Sequence, residues 1–138
     1  MGGDMPKRAA AIIVRDGNVL LMRRVKDGEE YFVFPGGLVE EGETPQEAAV
    51  REIHEEFNLE VRHPQALFEM ESMGKQGYYY LCTDVVGEPV LGGEELRIMN
   101  DRNQYYPVWK PVADIQSISN LYPDEVREKV AEMLSMSQ

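Results

Sequence analysis

The strongest constraint on how this chain folds is a helix whose start is written into residues 44–47. Thr44 is a good N-cap. Pro45 suits the first helical position, where its missing N–H would have had no partner anyway. Glu47 stands where its carboxylate reaches back to the cap, completing a capping box. The spacing predicts a helix running to Phe57, with Asn58 at the left-handed position that follows a helix. Take about 100° of turn per residue and set Glu52 at zero. Ala49, Val50, Ile53 and Phe57 then form an apolar stripe between about 60° and 160°. Glu56 falls near roughly +40° and Glu55 near roughly −60°, so three carboxylates share an arc beside that stripe. The helix packs by one face and presents acids next to it.

Strands surround this helix. Residues 8–15 are too apolar for an exposed helix and end in β-branched side chains. Asp16-Gly17 and a second apolar run, Val19-Leu20-Leu21-Met22, complete a β-hairpin. Residues 31–34 read as a third strand, broken by Pro35-Gly36-Gly37. Further strands are expected over residues 60–63, 66–72, 78–86 and 105–109, with a turn at 74–77 and a polar loop at 87–103. Pro107 favours an edge strand. Residues 123–134 carry Val126, Val130, Met133 and Leu134 at helical spacing and close the chain as an amphipathic helix. One mixed α/β domain over residues 5–138 is expected, with residues 1–4 set aside as a remnant ahead of Met5.

The chain has 138 residues and a formal net charge of −11, from 25 acidic and 14 basic side chains. That length fits one domain. The acidity speaks against a nucleic-acid polymer or an anionic membrane as partner, since both are held by Lys and Arg. A lone cysteine, Cys82, forms no internal disulfide and reads as a buried small hydrophobe. No apolar run approaches a membrane span and no secretory signal is visible, so the cytoplasm is the expected location.

The acids of the helix have two readings. A solvated acidic face is one. The other is a hard divalent cation, which offsets the repulsion of like charges at helical spacing and bridges carboxylates to a phosphate. The Gly-rich turn brings a backbone carbonyl, such as that of Gly36, towards the same ion. Glu-rich helix faces are usually solvated, yet that reading does not readily explain the turn, the tight cap and the acidic arc occurring together, so both stay open on spacing alone.

The segment 36–59, GGLVEEGETPQEAAVREIHEEFNL, resembles the Nudix box: Gly, five residues, Glu, seven residues, Arg-Glu, an aliphatic residue, any residue, Glu-Glu, any residue, Gly, an aliphatic residue. Gly37, Glu43, Arg51-Glu52, Ile53, Glu55-Glu56 and Leu59 fill it, and Asn58 in the last Gly position is the one departure. The resemblance implies the Nudix fold, a mixed sheet sandwiched between helices, of MutT-like type. It also implies a magnesium- or manganese-dependent pyrophosphohydrolase that cleaves a nucleoside diphosphate linked to another group by water attack on phosphorus. Glu52, Glu55 and Glu56 would be the catalytic metal-binding carboxylates, Glu52 or Glu56 also handling the water, with Gly36 as a carbonyl ligand. Arg51 and Glu43 resemble the family's structural ion pair, with Glu47 the rival partner for Arg51.

Arg23 and Arg24 end the second strand and alternate in direction, so both are candidate substrate contacts, one of them facing the active side. Family position favours Arg24 for a phosphate, and a solvent-facing edge cation is the rival reading. Phe34 is set against a base or ribose, or in the core. Asn120 is a base-edge reader or a turn residue. The tyrosines 78–80 and Trp109 are stacking surfaces or core. Glu94 and Glu95 are loop acids that add a ligand or base on closure. The partner is a small nucleotide, with triphosphates, nucleotide sugars and dinucleoside polyphosphates all open; Gly74, where ADP-ribose enzymes tend to carry Pro, counts against that class. Many relatives are dimers, so a homodimer stays open. The alternative is an inactive nucleotide-binding regulatory module, but such members usually lose box carboxylates and none is lost here.

Overall fold

A computed structural model describes residues 5–136, leaving the side chains of Glu94 and Glu95 outside the description. The expected remnant at residues 1–4 also lies outside it. The chain forms β1 (Lys7–Arg15), β2 (Asn18–Lys26), β3 (Glu29–Val33), β4 (Gly36–Leu38), α1 (Pro45–Phe57), β5 (Glu60–Arg62), β6 (Gln65–Ser72), β7 (Lys75–Cys82), β8 (Asp84–Val86), α2 (Gly93–Ile98), β9 (Asn103–Pro111), a 3-10 turn (Val112–Ser117), β10 (Leu121–Tyr122) and α3 (Asp124–Met136).

An 8-stranded mixed sheet has the order β10-β3-β2-β1-β7-β6, with β4 added to β1 and β9 to β2. β1 runs parallel to β7 and antiparallel to β2. Its side chains alternate between two cores. Ala9, Ala11 and Ile13 pack with Ala49, Ile53 and Phe57 of α1. Ala10 and Ile12 pack with Val126, Val130 and Leu134 of α3. A strand covered on both faces needs apolar side chains at every position, which is why β1 reads as one unbroken run. The sheet is therefore sandwiched between α1 and α3, the architecture the resemblance implies.

Local chemistry sets the connections. The hairpin turns Asp16-Gly17 and Asp27-Gly28 have positive φ at both residues, the geometry that two-residue turns need to match strand twist. The turn between β6 and β7 is Met73-Gly74, earlier than the 74–77 segment expected, and residues 75–77 belong to β7. The expected strand over 78–86 is two strands, separated at Thr83 where the chain leaves the sheet to pair β8 with β5. Gly36-Gly37 is not only a break, since it pairs with Ala10 and Ala9 as β4. The expected loop at 87–103 contains α2. β9 bonds only to β2 and so is an edge strand, as Pro107 suggests. No helix of the described residues is long and apolar enough to cross a membrane.

The feature that positions the site is a divergence. β1 and β2 pair only at Val14 with Val19 and Arg15 with Asn18. Beyond that, β1 takes β4 as its neighbour while β2 runs on with β3 and β9. The gap that opens is bridged by the link from β3 to β4, where the Ala11 amide donates to the Pro35 carbonyl at 2.9 Å.

Candidate active site

Arg51 organises the acidic side of α1. Its Nε donates to Glu43 Oε2 at 2.7 Å and its Nη2 to Glu43 Oε1 at 3.0 Å, a two-pronged pair. Glu47, the rival partner, closes the capping box with Thr44 instead. Arg51 Nη2 also donates to the Leu38 carbonyl at 3.1 Å, and Nη1 reaches Glu52 at 2.9 Å and Glu55 at 3.1 Å. One guanidinium thus ties β4, the 39–44 loop and two helix acids together. Arg51 holds the Glu43 carboxyl below the usual carboxylate range, and Glu43 in turn pushes the Arg51 pKa up.

The three helix acids differ in depth. Glu56 is 4% exposed, the buried charged side chain among the described residues. Its place on the wheel explains this, because it borders the apolar stripe. Glu52 lies partly buried against β4, so close that a Cβ on Gly37 would come within 2.3 Å of its carboxylate carbon. Only glycine fits there. Gly36 is constrained in the same way, as its Cβ would sit 2.2 Å from the Ala9 carbonyl oxygen. Glu55 is half exposed and turned to Arg51. Among the described residues, no three acidic, histidine or cysteine side chains already form a closed metal cluster. The acids share one side of the helix, but Arg51 holds two of them.

The loop before α2 docks on the end of this helix. The Val90 amide donates to the Phe57 carbonyl and the Gly92 amide to the Glu56 carbonyl at 2.7 Å. Those two carbonyls lack partners within the helix. The loop therefore brings Glu94 and Glu95 close to the helix in backbone terms, while the expected role of their side chains lies outside the described residues.

A cavity of about 570 Å³ fills the gap between β1 and β2. Arg8, Arg24 and Lys75 line it, with the aromatic rings of Tyr31, Phe34, Tyr79 and Tyr122. No carboxylate and no side-chain amide is among its lining residues. Arg24 donates to the Tyr105 hydroxyl at 2.7 Å and lies over the Tyr105 ring at 4.4 Å. Arg8 Nη2 donates to the Phe34 carbonyl at 2.9 Å. Phe34 is both a cavity wall and a core residue.

Two expected contacts are not brought to the cavity. Arg23 alternates to the other face, pairs with Glu30 at 2.5 Å and lies over Tyr106. Asn120 uses its amide to donate to the Glu30 carbonyl at 3.1 Å, while its own carbonyl accepts from Phe32. It is a turn residue that fastens β10 to β3. Trp109 packs in the α1 core under Arg15. Burial pushes the Cys82 thiol up to about 12, consistent with a core residue rather than a nucleophile. Sequence reasoning missed Arg8, Lys75, Tyr31 and Tyr122. Only the placement of Arg8 at a strand start gave a hint, since Lys75 fell in the expected turn, and their convergence depends on how β1 and β7 pair.

The family model described as NUDIX domain matches residues 5–128. The chain belongs to the Nudix family. It is 32% identical over 90 residues to a protein of Haemophilus influenzae named 8-oxo-dGTP diphosphatase, covering 59% of this chain and 66% of that one. It is 37% identical over 84 residues to the ADP-ribose pyrophosphatase of Methanocaldococcus jannaschii, covering 60% and 50%. The chain thus spans less than two thirds of either relative. A crystal structure of the MutT NUDIX hydrolase from Burkholderia pseudomallei has the same fold, with a TM-score of 0.73 at 22% identity over 96% of this Nudix chain and 99% of that one.

Proposed function

We propose that this Nudix protein is a divalent-metal-dependent pyrophosphohydrolase acting in the cytoplasm on a small nucleotide derivative, a nucleoside triphosphate above all. The observation that carries this reading is a juxtaposition of charge. On a chain of net charge −11, the cavity cations Arg8, Arg24 and Lys75 have no carboxylate beside them among the lining residues. One strand away, Glu52 touches Gly37, while Ala10, the partner of Gly36, lines the cavity. Cations and aromatic rings suit phosphates and a base. The acidic side of α1 suits a cation.

The donor set fits magnesium or manganese. Glu52, Glu55, Glu56 and the Gly36 carbonyl offer only hard oxygen atoms. Magnesium usually takes one or two carboxylates and completes its shell with water and phosphate oxygens, so it needs no closed protein cage. When bound, the ion neutralises phosphate charge and acidifies a bound water. The chain's own residues do the rest. Arg24 holds phosphate oxygens at the α1 side of the gap. Phe34 and the tyrosines orient the nucleoside. Glu52 or Glu56 accepts the proton of the attacking water. The two relatives named above act on different compounds, and the geometry of the phosphate end is compatible with either.

A panel of nucleoside triphosphates, nucleotide sugars and dinucleoside polyphosphates, assayed with magnesium for phosphate and pyrophosphate release and with product identification, tests the reading. Turnover of at least one class is expected. Nucleotide binding without turnover at any metal concentration would favour a regulatory binding module instead.

A further inference from the structure

The cavity has two ends, and strand alternation separates them. In β2, Leu20 and Met22 face the α1 core, so Arg24 continues on that side, joined by Val33 of β3. In β1 and β7, Ala10 and Tyr79 face the α3 core, so Arg8, Lys75 and Gly77 continue on the opposite side, joined by Tyr122, Pro123 and Val126. The acids of α1 lie at the first end. On the nucleotide reading, on which this inference rests, the diphosphate belongs there. What reaches the second end is the far part of the substrate.

That second end is rich in hydrogen-bond donors. Arg8 spends one nitrogen on the Phe34 carbonyl, which fixes the guanidinium. Glu125 of α3 does not line the cavity, but it accepts from the hydroxyl of Ser72, which does. Burial pushes the pKa of the lining Tyr79 up, Arg8 lowers it and Glu125 raises it. Tyr79 and Tyr122 complete the wall. Lys and Arg donate and never accept. A ligand group that itself presents N–H donors would leave these cations unsatisfied.

We propose that Arg8 and Lys75 are specificity-determining residues that select an end group bearing oxygen acceptors. Two sources share this chemistry: the keto edge of a base, or a second phosphate on the nucleoside. Guanine O6 and uracil O4 accept, whereas adenine N6 and cytosine N4 donate.

Calorimetric binding of the 5′-monophosphates GMP, UMP, AMP and CMP, and of adenosine 3′,5′-bisphosphate, tests this without turnover. Either GMP and UMP bind about tenfold more tightly than AMP and CMP, or the bisphosphate binds about tenfold more tightly than AMP; the first identifies the keto edge and the second the phosphate. Arg8→Leu and Lys75→Met each reduce that preference, the favoured ligands losing more affinity than AMP and CMP, and Arg8→Lys retains part of it. Lys75 is exposed beside a turn, so its variant separates recognition from folding. Equal binding of all five ligands, or a uniform loss in both variants, would overturn the proposal. A preference in binding with no hydrolysis of any member of the nucleotide panel would sink the hydrolase reading and leave this one standing.

Discussion

Glu43 and Gly37 show how single residues hold the acidic side of a helix in place. Glu43 has a folded-state pKa held below its usual range by Arg51. A carboxylate of this kind contributes its full stabilisation above the unfolded-state value, and loses it as pH falls through the folded value. Glu43→Gln should therefore lower the urea midpoint at neutral pH, and the gap to wild type should close on acidification below about pH 4. A gap independent of pH would show that the charge of Glu43 is not what matters. Gly37→Ala places a methyl group where the Glu52 carboxylate sits. Displacing a reacting group by about 1 Å can cost roughly 100-fold, so kcat in the nucleotide assay should fall by about that much with the fold retained. An unchanged kcat would mean that the position of Glu52 is irrelevant to turnover.

At the scale of elements, the helix was legible because its chemistry is local. The observed capping box and the left-handed Asn58 are the ones the sequence predicts, since each depends on neighbours within four residues. Thr44→Ala should cost about 1 kcal/mol, read from the denaturant midpoint. A shift near zero would mean that the cap is not fixing the helix start. Elements set by distant pairing were not legible. β4 exists because β1 offers it an edge, and α2 because the loop before it docks on carbonyls of α1. Nothing within either segment announces these partners. The two readings of Asn120 stayed open in the sequence for the same reason, since its amide donates to a carbonyl 90 residues away.

Across the whole molecule, acidity and function are sorted by place. The chain carries a net charge of −11, while the cavity gathers cations into a region free of lining carboxylates. Composition gives the net charge but not this gathering of cations, which arises only where β1 and β2 part. The sandwich of sheet and helices followed from the strand and helix pattern together with the box. The cavity walls did not, because they draw on β1, β2, β3, β7 and α3 at once. The account makes α1 a metal-binding surface whose occupancy completes the site. The most direct test is titration of the protein with manganese, followed by equilibrium metal binding, for wild type, Glu56→Gln and Glu55→Gln in the presence of a slowly hydrolysed nucleotide analogue. The account predicts a saturable site in the wild type that both variants weaken at least tenfold, the exposed Glu55 serving as the variant that leaves the core untouched. No saturable site in the wild type, or equal affinity in all three proteins, would contradict it.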